Sequence, residues 1–429
     1  MELLHLSRPD HNLHGHIALD GSKSLSNRAL IILALAGAEP AGWLRNLSTS
    51  KDTVTLQRLL AQSDGETYDA GDAGTTFRFM TAYLATRPGE QVLTGSPRMC
   101  QRPVGALVYA LRELGADINF LEKEGYPPLL IGEPDRLGKA TRAIRVDADV
   151  SSQFLSALLM IGPCLPRGLE LIPKGRLVSR PYLDMTMRMM RHFGARVDWF
   201  GENIVVDPGA YTPRPLTIEA DWSAASYWYA LSAFAETAEL TLEGLFEDSW
   251  QGDAIVSNMM AHFGVTTTFQ TPVKDADTQV RGSHERGIKV LKRPCAMPPS
   301  FEWDFLDCPD IAQTLAVVCA GLGVRGVFKG LETLAIKETD RTAALQRELT
   351  KMGVDFWAAD ESTFIVSGKA SWKNTPRFAT YGDHRMAMAF APLAMFGPVE
   401  IEHPAVVAKS YPKFWEHLET AGFRLKKRN

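Results

Sequence analysis

One local pattern recurs six times along this 429-residue chain: a short polar cluster runs directly into an apolar stretch of helical length. The first three copies read GSKSLSNRALIILALAG from Gly21, GDAGTTFRFMTAYLAT from Gly71 and DVSSQFLSALLMIG from Asp149. The later three read DWSAASYWYALSAFAE from Asp221, DCPDIAQTLAVVCAG from Asp307 and GDHRMAMAFAPLAMFG from Gly382. Stretches that are apolar nearly all round belong to helices buried inside a core rather than lying on a surface. After each comes a short strand, a loop and a second helix that closes near a glycine. In the second copy Val104, Leu107, Val108, Leu111 and Leu114 fall at the spacing of one helical stripe, so this second helix is expected to cover a sheet.

Strands alternating with helices predict an α/β architecture, and three units on each side of about Asp221 predict two similar domains. The copies start about 50 to 90 residues apart, longer than common solenoid repeats, which favours two closed three-unit domains over an open array. Only a few residues separate the second helix of the first copy, ending near Ala61, from Gly71. One hairpin is expected to be missing there.

Composition excludes several classes. With 46 Lys plus Arg against 50 Asp plus Glu, the chain has no basic excess for a nucleic-acid backbone, and no nucleic-acid partner is expected. Cys100, Cys164, Cys295, Cys308 and Cys319 have neither zinc-site spacing nor the even density of a secreted scaffold, so a reducing cytoplasm is expected. Met1 to His16 is broken by Glu2, Arg8, Asp10 and four histidines, and no apolar run approaches the ~20 residues that span a bilayer. Neither export nor a membrane is expected, and the chain is expected to be a monomer.

Polar residues at the starts of the buried helices sit where unpaired N–H groups and the helix dipole attract anions. Lys23, Ser24 and Arg28 open one such helix, and Ser151 and Ser152 another. A single copy reads as ordinary helix capping. Six copies, several with Lys or Arg, point to a binding cleft. The densest charge is KETDR, Lys337 to Arg341. If this stretch enters the following helix, Glu338 and Arg341 share a face and Lys337 and Arg341 lie close. By itself it reads as a solvated helix start. Gly321, Gly323 and Gly326 match a dinucleotide fingerprint but follow a helix and precede a strand, the reverse of what that site needs. His11, His14 and His16 have no carboxylate or cysteine cluster beside them, and no metal or organic cofactor is expected.

Taken together, GSKSLSNR, GDAGTTFR, QRPVGAL, SSQF, SRPYLD, the Asp310 region, KETDR, DHRMAM and the late Lys409 resemble, in order and across essentially the whole chain, the 5-enolpyruvylshikimate-3-phosphate synthase family. The resemblance implies two similar domains, each three βαβαββ units with buried parallel helices, and a site in the cleft between them. It puts residues 22–220 in one domain and residues 1–21 with 221–429 in the other. It further implies transfer of the enolpyruvyl group of phosphoenolpyruvate to shikimate 3-phosphate by addition and elimination. Phosphoenolpyruvate would be held by Lys23, Gly74, Arg102, Gln153, Arg341, His384, Arg385 and Lys409. Shikimate 3-phosphate would be held by Ser24, Arg28, Ser151, Ser152, Ser179, Tyr182 and Lys337, with Arg28 on its carboxylate. Glu338 would be the acid and base at the methylene carbon, Asp310 the group at the 5-hydroxyl, and Lys23 the support for the leaving phosphate. Glyphosate, with a phosphonate and a carboxylate, would occupy the phosphoenolpyruvate site.

Four positions depart from the family pattern. Asp72, Thr333 and Gly382 stand where asparagines are expected, and Phe79 where a proline is expected. Asp72 would place negative charge beside the bound phosphate. The related UDP-N-acetylglucosamine enolpyruvyl transferases carry a reactive cysteine five residues before the arginine matched by Arg102, and here that place is Pro97. A noncatalytic binding protein of the same fold would be expected to have lost Asp310 or Glu338; both are present.

Overall fold

A computed structural model of the chain describes residues 2–62, 67–147, 152–175, 177–270 and 287–428. Ser151 lies outside the described residues. The chain forms two compact units, Gly21–Ile218 and Met1–Asp20 with Glu219–Asn429.

In Gly21–Ile218 one sheet is ordered Thr67–Asp69, Gln91–Thr94, Leu129–Ile131, Ile118–Phe120, its first pair parallel and the others antiparallel. A second sheet repeats that order with Ala143–Asp147, Leu169–Lys174, Asn203–Val206 and Val197–Phe200. A parallel pair needs a crossover, and the inner helices Gly74–Leu84 and Ser152–Ile161 supply it. The helices Gly105–Glu113 and Arg180–His192 lead into the hairpins. The first copy has only a two-stranded parallel ribbon, Leu44–Arg45 with Leu216–Thr217, and no hairpin among the described residues, in keeping with its short spacing.

The other unit repeats the order three times. Asn12–Ala18, Thr237–Glu243, Gly287–Lys292 and Val265–Gln270 form one sheet, and Ser300–Asp304, Arg325–Lys329, Phe364–Ser367 and Asp355–Ala358 another. In the third, Arg377–Phe378 and Val399–Glu402 are completed by Leu3–Ser7 and Arg424–Arg428. The N-terminal stretch therefore supplies strands to two sheets of this unit. Leu4 and Leu6 alternate inward from Leu3–Ser7, at 3% and 0% exposure.

The inner helices Lys23–Leu35, Gly74–Leu84 and Ser152–Ile161 pack on one another, as do Trp222–Phe234, Ala312–Leu322 and His384–Phe390 in the other unit. In Trp222–Phe234 every residue except Ser223 is buried, as its unbroken apolar surface predicts. Burying one such large apolar side chain contributes roughly 1.5 to 3 kcal/mol.

Two of the departures have local explanations. Gly382 adopts φ 71°, a left-handed conformation that glycine and asparagine share more readily than other residues, and its missing Cβ would meet nothing within 4 Å. Phe79 lies inside Gly74–Leu84, fully buried, with the Arg28 guanidinium 5.4 Å from its ring centre. Gly323 has φ 72° and terminates Ala312–Leu322 ahead of Arg325–Lys329, so the glycine triplet there is a helix stop.

Candidate active site

Within the unit that contains residues 219–429, the starts of two inner helices and the loop before Arg341–Thr350 bring charge together. Asp383 caps His384–Phe390, its Oδ1 accepting from the Arg385 N–H at 2.8 Å. Its Oδ2 accepts from Arg341 Nε at 2.7 Å. The other arms of the same guanidinium reach Asp310 Oδ1 at 3.0 Å and Glu338 Oε2 at 2.8 Å. Arg341 is 1% exposed, so the reading of KETDR as a solvated start fails. Only Arg341 enters the helix, because Asp340 caps it through the Ala343 N–H. Glu338 meets Arg341 from the loop, and Lys337 turns to Asp310 Oδ1 at 3.7 Å instead of sharing a helical face with Arg341.

Asp310 also accepts from Arg385, with Oδ2 2.9 Å from Nη2, while its backbone carbonyl accepts from Nη1 at 3.1 Å. Burial pushes the Asp310 carboxyl up, but Arg385, Lys337 and Arg341 more than reverse this and hold it well below the usual carboxylate range. Lys409 Nζ lies 3.6 Å from Glu338 Oε1. His384 is 1% exposed, its Nδ1 3.8 Å from Asp383 Oδ1. Asp253, buried at 4% exposure, takes the Ser223 hydroxyl, and burial followed by the Asp310 charge pushes its carboxyl up.

In Gly21–Ile218 the charges gather at helix starts where no side chain caps the first turn, at Lys23–Leu35 and Gly74–Leu84. Lys23 Nζ lies 3.4 Å from Asp52 Oδ2. A Cβ on Gly74 would stand 2.5 Å from Arg102 Nη1 and 2.7 Å from Arg78 Nη1, so two guanidiniums close over this helix start. Arg78 in turn donates to Gln153 Oε1 at 3.0 Å and lies over the Phe154 ring. Ser152 begins its inner helix, and Ser179 precedes Arg180–His192 at φ 58°. Asp72 is exposed and takes the Ser96 hydroxyl, whose oxygen also accepts from the Met99 N–H at 3.2 Å. Its charge thereby ties down the turn that leads to Arg102.

Arg28 is already engaged within its own unit. It is 2% exposed and donates to Thr186 Oγ1 at 2.7 Å, Ser156 Oγ at 3.0 Å and the carbonyls of Ser24 at 2.9 Å and Tyr182 at 3.5 Å. All are neutral, and burial pulls its own ionisation down to about 10. These contacts draw on all three nitrogens of the guanidinium, using four of its five N–H groups.

Four residues here escaped the sequence reading: Asp52, Arg78, Asp253 and Asp383. Arg78 had a signal, since it follows Gly74 by one helical turn, and Asp383 stands in a capping position of the GDHR motif. Asp52 and Asp253 meet their partners over 29 and 30 residues of sequence, with no local pattern to mark them.

Three-unit halves built around inner helices, with cations and carboxylates at the helix starts, define the enolpyruvyl transferase fold. The family model described as EPSP synthase (3-phosphoshikimate 1-carboxyvinyltransferase) matches residues 56–418. A relative from Bacteroides fragilis, named 3-phosphoshikimate 1-carboxyvinyltransferase, is 44% identical over 424 residues, covering 98% of each chain. One from Neisseria meningitidis serogroup B with the same name is 34% identical over 425 residues, covering 93% of this chain and 94% of its own. The 2.37 Å structure of EPSP synthase from Acinetobacter baumannii superposes with a TM-score of 0.78 over 100% of both chains at 21% identity, a likeness of fold. The chain belongs to the EPSP synthase family.

Proposed function

We propose that this chain is a 3-phosphoshikimate 1-carboxyvinyltransferase. It transfers the enolpyruvyl group of phosphoenolpyruvate to the 5-hydroxyl of shikimate 3-phosphate and releases phosphate. The observation that carries the reading is Arg341, one buried guanidinium that holds Asp310, Glu338 and Asp383 together. Family membership favours this reading over a UDP-N-acetylglucosamine transferase, as does Pro97 where that enzyme has its cysteine.

In the addition step Glu338 protonates the methylene carbon of phosphoenolpyruvate, and the 5-hydroxyl oxygen bonds to the carbon that bears the phosphate as Asp310 takes the hydroxyl proton. In the elimination step Glu338 removes a proton from the new methyl group, the double bond returns, and phosphate leaves beside Lys23, carrying away the proton that Asp310 had taken. Asp310 is a weak base while Arg385, Lys337 and Arg341 hold it. Substrate phosphate and carboxylate groups compete for those cations, and each contact they take raises the basicity of Asp310. Phosphoenolpyruvate draws on Lys23, Gly74, Arg102, Gln153, Arg341, His384, Arg385 and Lys409. Shikimate 3-phosphate draws on Ser24, Arg28, Ser151, Ser152, Ser179, Tyr182 and Lys337. The reading calls on residues of both units. It places a monomer in the cytoplasm, supported by the five free thiols.

The test is phosphate release from phosphoenolpyruvate with and without shikimate 3-phosphate. Release that requires shikimate 3-phosphate supports the reading. Release driven by UDP-N-acetylglucosamine, or none with either acceptor, overturns it.

A further inference from the structure

Lys409 ends the short helix Pro404–Lys409, and what fixes that helix is a set of part-buried polar contacts behind it. Trp415 Nε1 donates to the Pro404 carbonyl at 2.8 Å and holds its first residue. The Tyr411 N–H donates to the Val407 carbonyl at 2.8 Å and ties Tyr411 to its last turn. Tyr411 is 2% exposed, and its hydroxyl oxygen stands 3.1 Å from Trp228 Nε1 and 2.7 Å from His417 Nδ1. An indole N–H only donates, so the Tyr411 oxygen accepts from Trp228 and its single proton goes to His417. His417 Nδ1 must then carry a lone pair, which requires the neutral ring protonated at Nε2.

We infer that Tyr411 and neutral His417 are positioning residues that hold Lys409 against Glu338, and that protonation of His417 releases Lys409. A protonated His417 presents N–H at Nδ1. The Tyr411 oxygen then faces two donors while its own proton loses its acceptor, in a buried place where an unmade hydrogen bond is costly. Burial pulls the His417 ring below its ordinary 6.5, helped by Lys413 and opposed by Asp20 and Glu416. Lys413 is itself paired with Asp20 at 3.2 Å, and Asp20 and Asp221 are the charges that act on Tyr411. The ring is therefore neutral at physiological pH and charges only in acid.

The consequence for catalysis rests on the proposed role of Lys409 as an anion ligand. The structural consequence does not, and the experiment separates the two. Amide hydrogen exchange of the 404–411 segment is measured in the full chain at about pH 7.5 and about pH 5.5, corrected for the intrinsic pH dependence, with His417→Gln and Tyr411→Phe alongside. In the native protein acid should speed exchange of this segment by roughly tenfold relative to the rest of the chain. His417→Gln keeps an oxygen acceptor that does not titrate and should remove that acid response. Tyr411→Phe should exchange fast at both pH values. If native and His417→Gln respond equally to acid, or if Tyr411→Phe keeps native protection at about pH 7.5, the inference is wrong. In parallel, the KM for phosphoenolpyruvate should rise in acid in the native protein and not in His417→Gln, with kcat changing alike in both. Should Lys409→Met leave that KM unchanged while the exchange results hold, the ligand role of Lys409 fails and the positioning relay stands.

Discussion

Arg341 Nε and Asp383 Oδ2 meet at 2.7 Å, 42 residues apart in sequence, with side-chain exposures of 2% and 0%. Removing one partner of such a pair leaves an uncompensated buried charge, at a cost of about 3 to 5 kcal/mol. Arg341 also spans Asp310 and Glu338, contacts that the single ammonium of lysine cannot reproduce together. Arg341→Lys should therefore lower the unfolding free energy by roughly 2 to 4 kcal/mol and raise the KM for phosphoenolpyruvate. Urea denaturation with steady-state kinetics checks both, and a stability within about 0.5 kcal/mol of native contradicts the account.

Glu338→Gln keeps the shape of the side chain but cannot cycle a proton, so turnover should fall by ~100-fold or more. Glu338 also occupies Arg341 and Lys409, so its neutralisation should tighten phosphoenolpyruvate binding. Calorimetry and single-turnover assays separate the two effects. Turnover close to native removes Glu338 from the proton transfers.

Gly74→Ala tests the anion site at the start of Gly74–Leu84. The variant adds a methyl group there. The atoms it meets first are the protein's own, Arg102 Nη1 at 2.5 Å and Arg78 Nη1 at 2.7 Å. Those side-chain ends must shift, which should weaken phosphoenolpyruvate if it binds there as proposed. Glyphosate, the longer molecule, should lose more, by about tenfold, or roughly 1.4 kcal/mol. Competitive titrations in both proteins measure this, and equal losses for the two ligands contradict it.

Glu219 lies in a cage of donors: Trp222 Nε1 at 2.7 Å, Phe246 N–H at 3.0 Å, Ser249 Oγ at 2.8 Å and Gln251 Nε2 at 3.0 Å. Burial still dominates, and its carboxyl is pushed up to about 7. A raised value means that the folded state holds this proton more tightly than the unfolded state. Its stabilisation is complete below the ordinary value of 4.5 and is lost as pH rises through about 7. Unfolding free energy should lose roughly 1 to 3 kcal/mol from this group across that interval. Glu219→Gln, which resembles the protonated form, should flatten the decline. An unchanged slope assigns it elsewhere.

Periodicity revealed the inner helices because burial on all faces leaves a run such as ALIILAL with no polar stripe, and the lack of a first-copy hairpin among the described residues appeared as missing length. The charged cluster was only half legible. Glu338 and Arg341 are three residues apart, yet KETDR looks like solvent-facing sequence because the carboxylates that bury it, Asp310 and Asp383, arrive from other elements. The contacts of Arg28 were illegible for a related reason. Its position at a helix start suggests a ligand, whereas Thr186 and Ser156, which occupy it, belong to helices more than 100 residues away.

The central claim is that enolpyruvyl transfer passes through an intermediate whose methylene carbon has become a methyl group. The reaction run in deuterium oxide with shikimate 3-phosphate, with the vinyl protons of the product followed by proton NMR, tests it most directly. Reversible protonation at that carbon predicts deuterium in the vinyl group of the product and in recovered phosphoenolpyruvate, with Glu338→Gln suppressing both. A vinyl ether product formed at the native rate without deuterium would contradict the account.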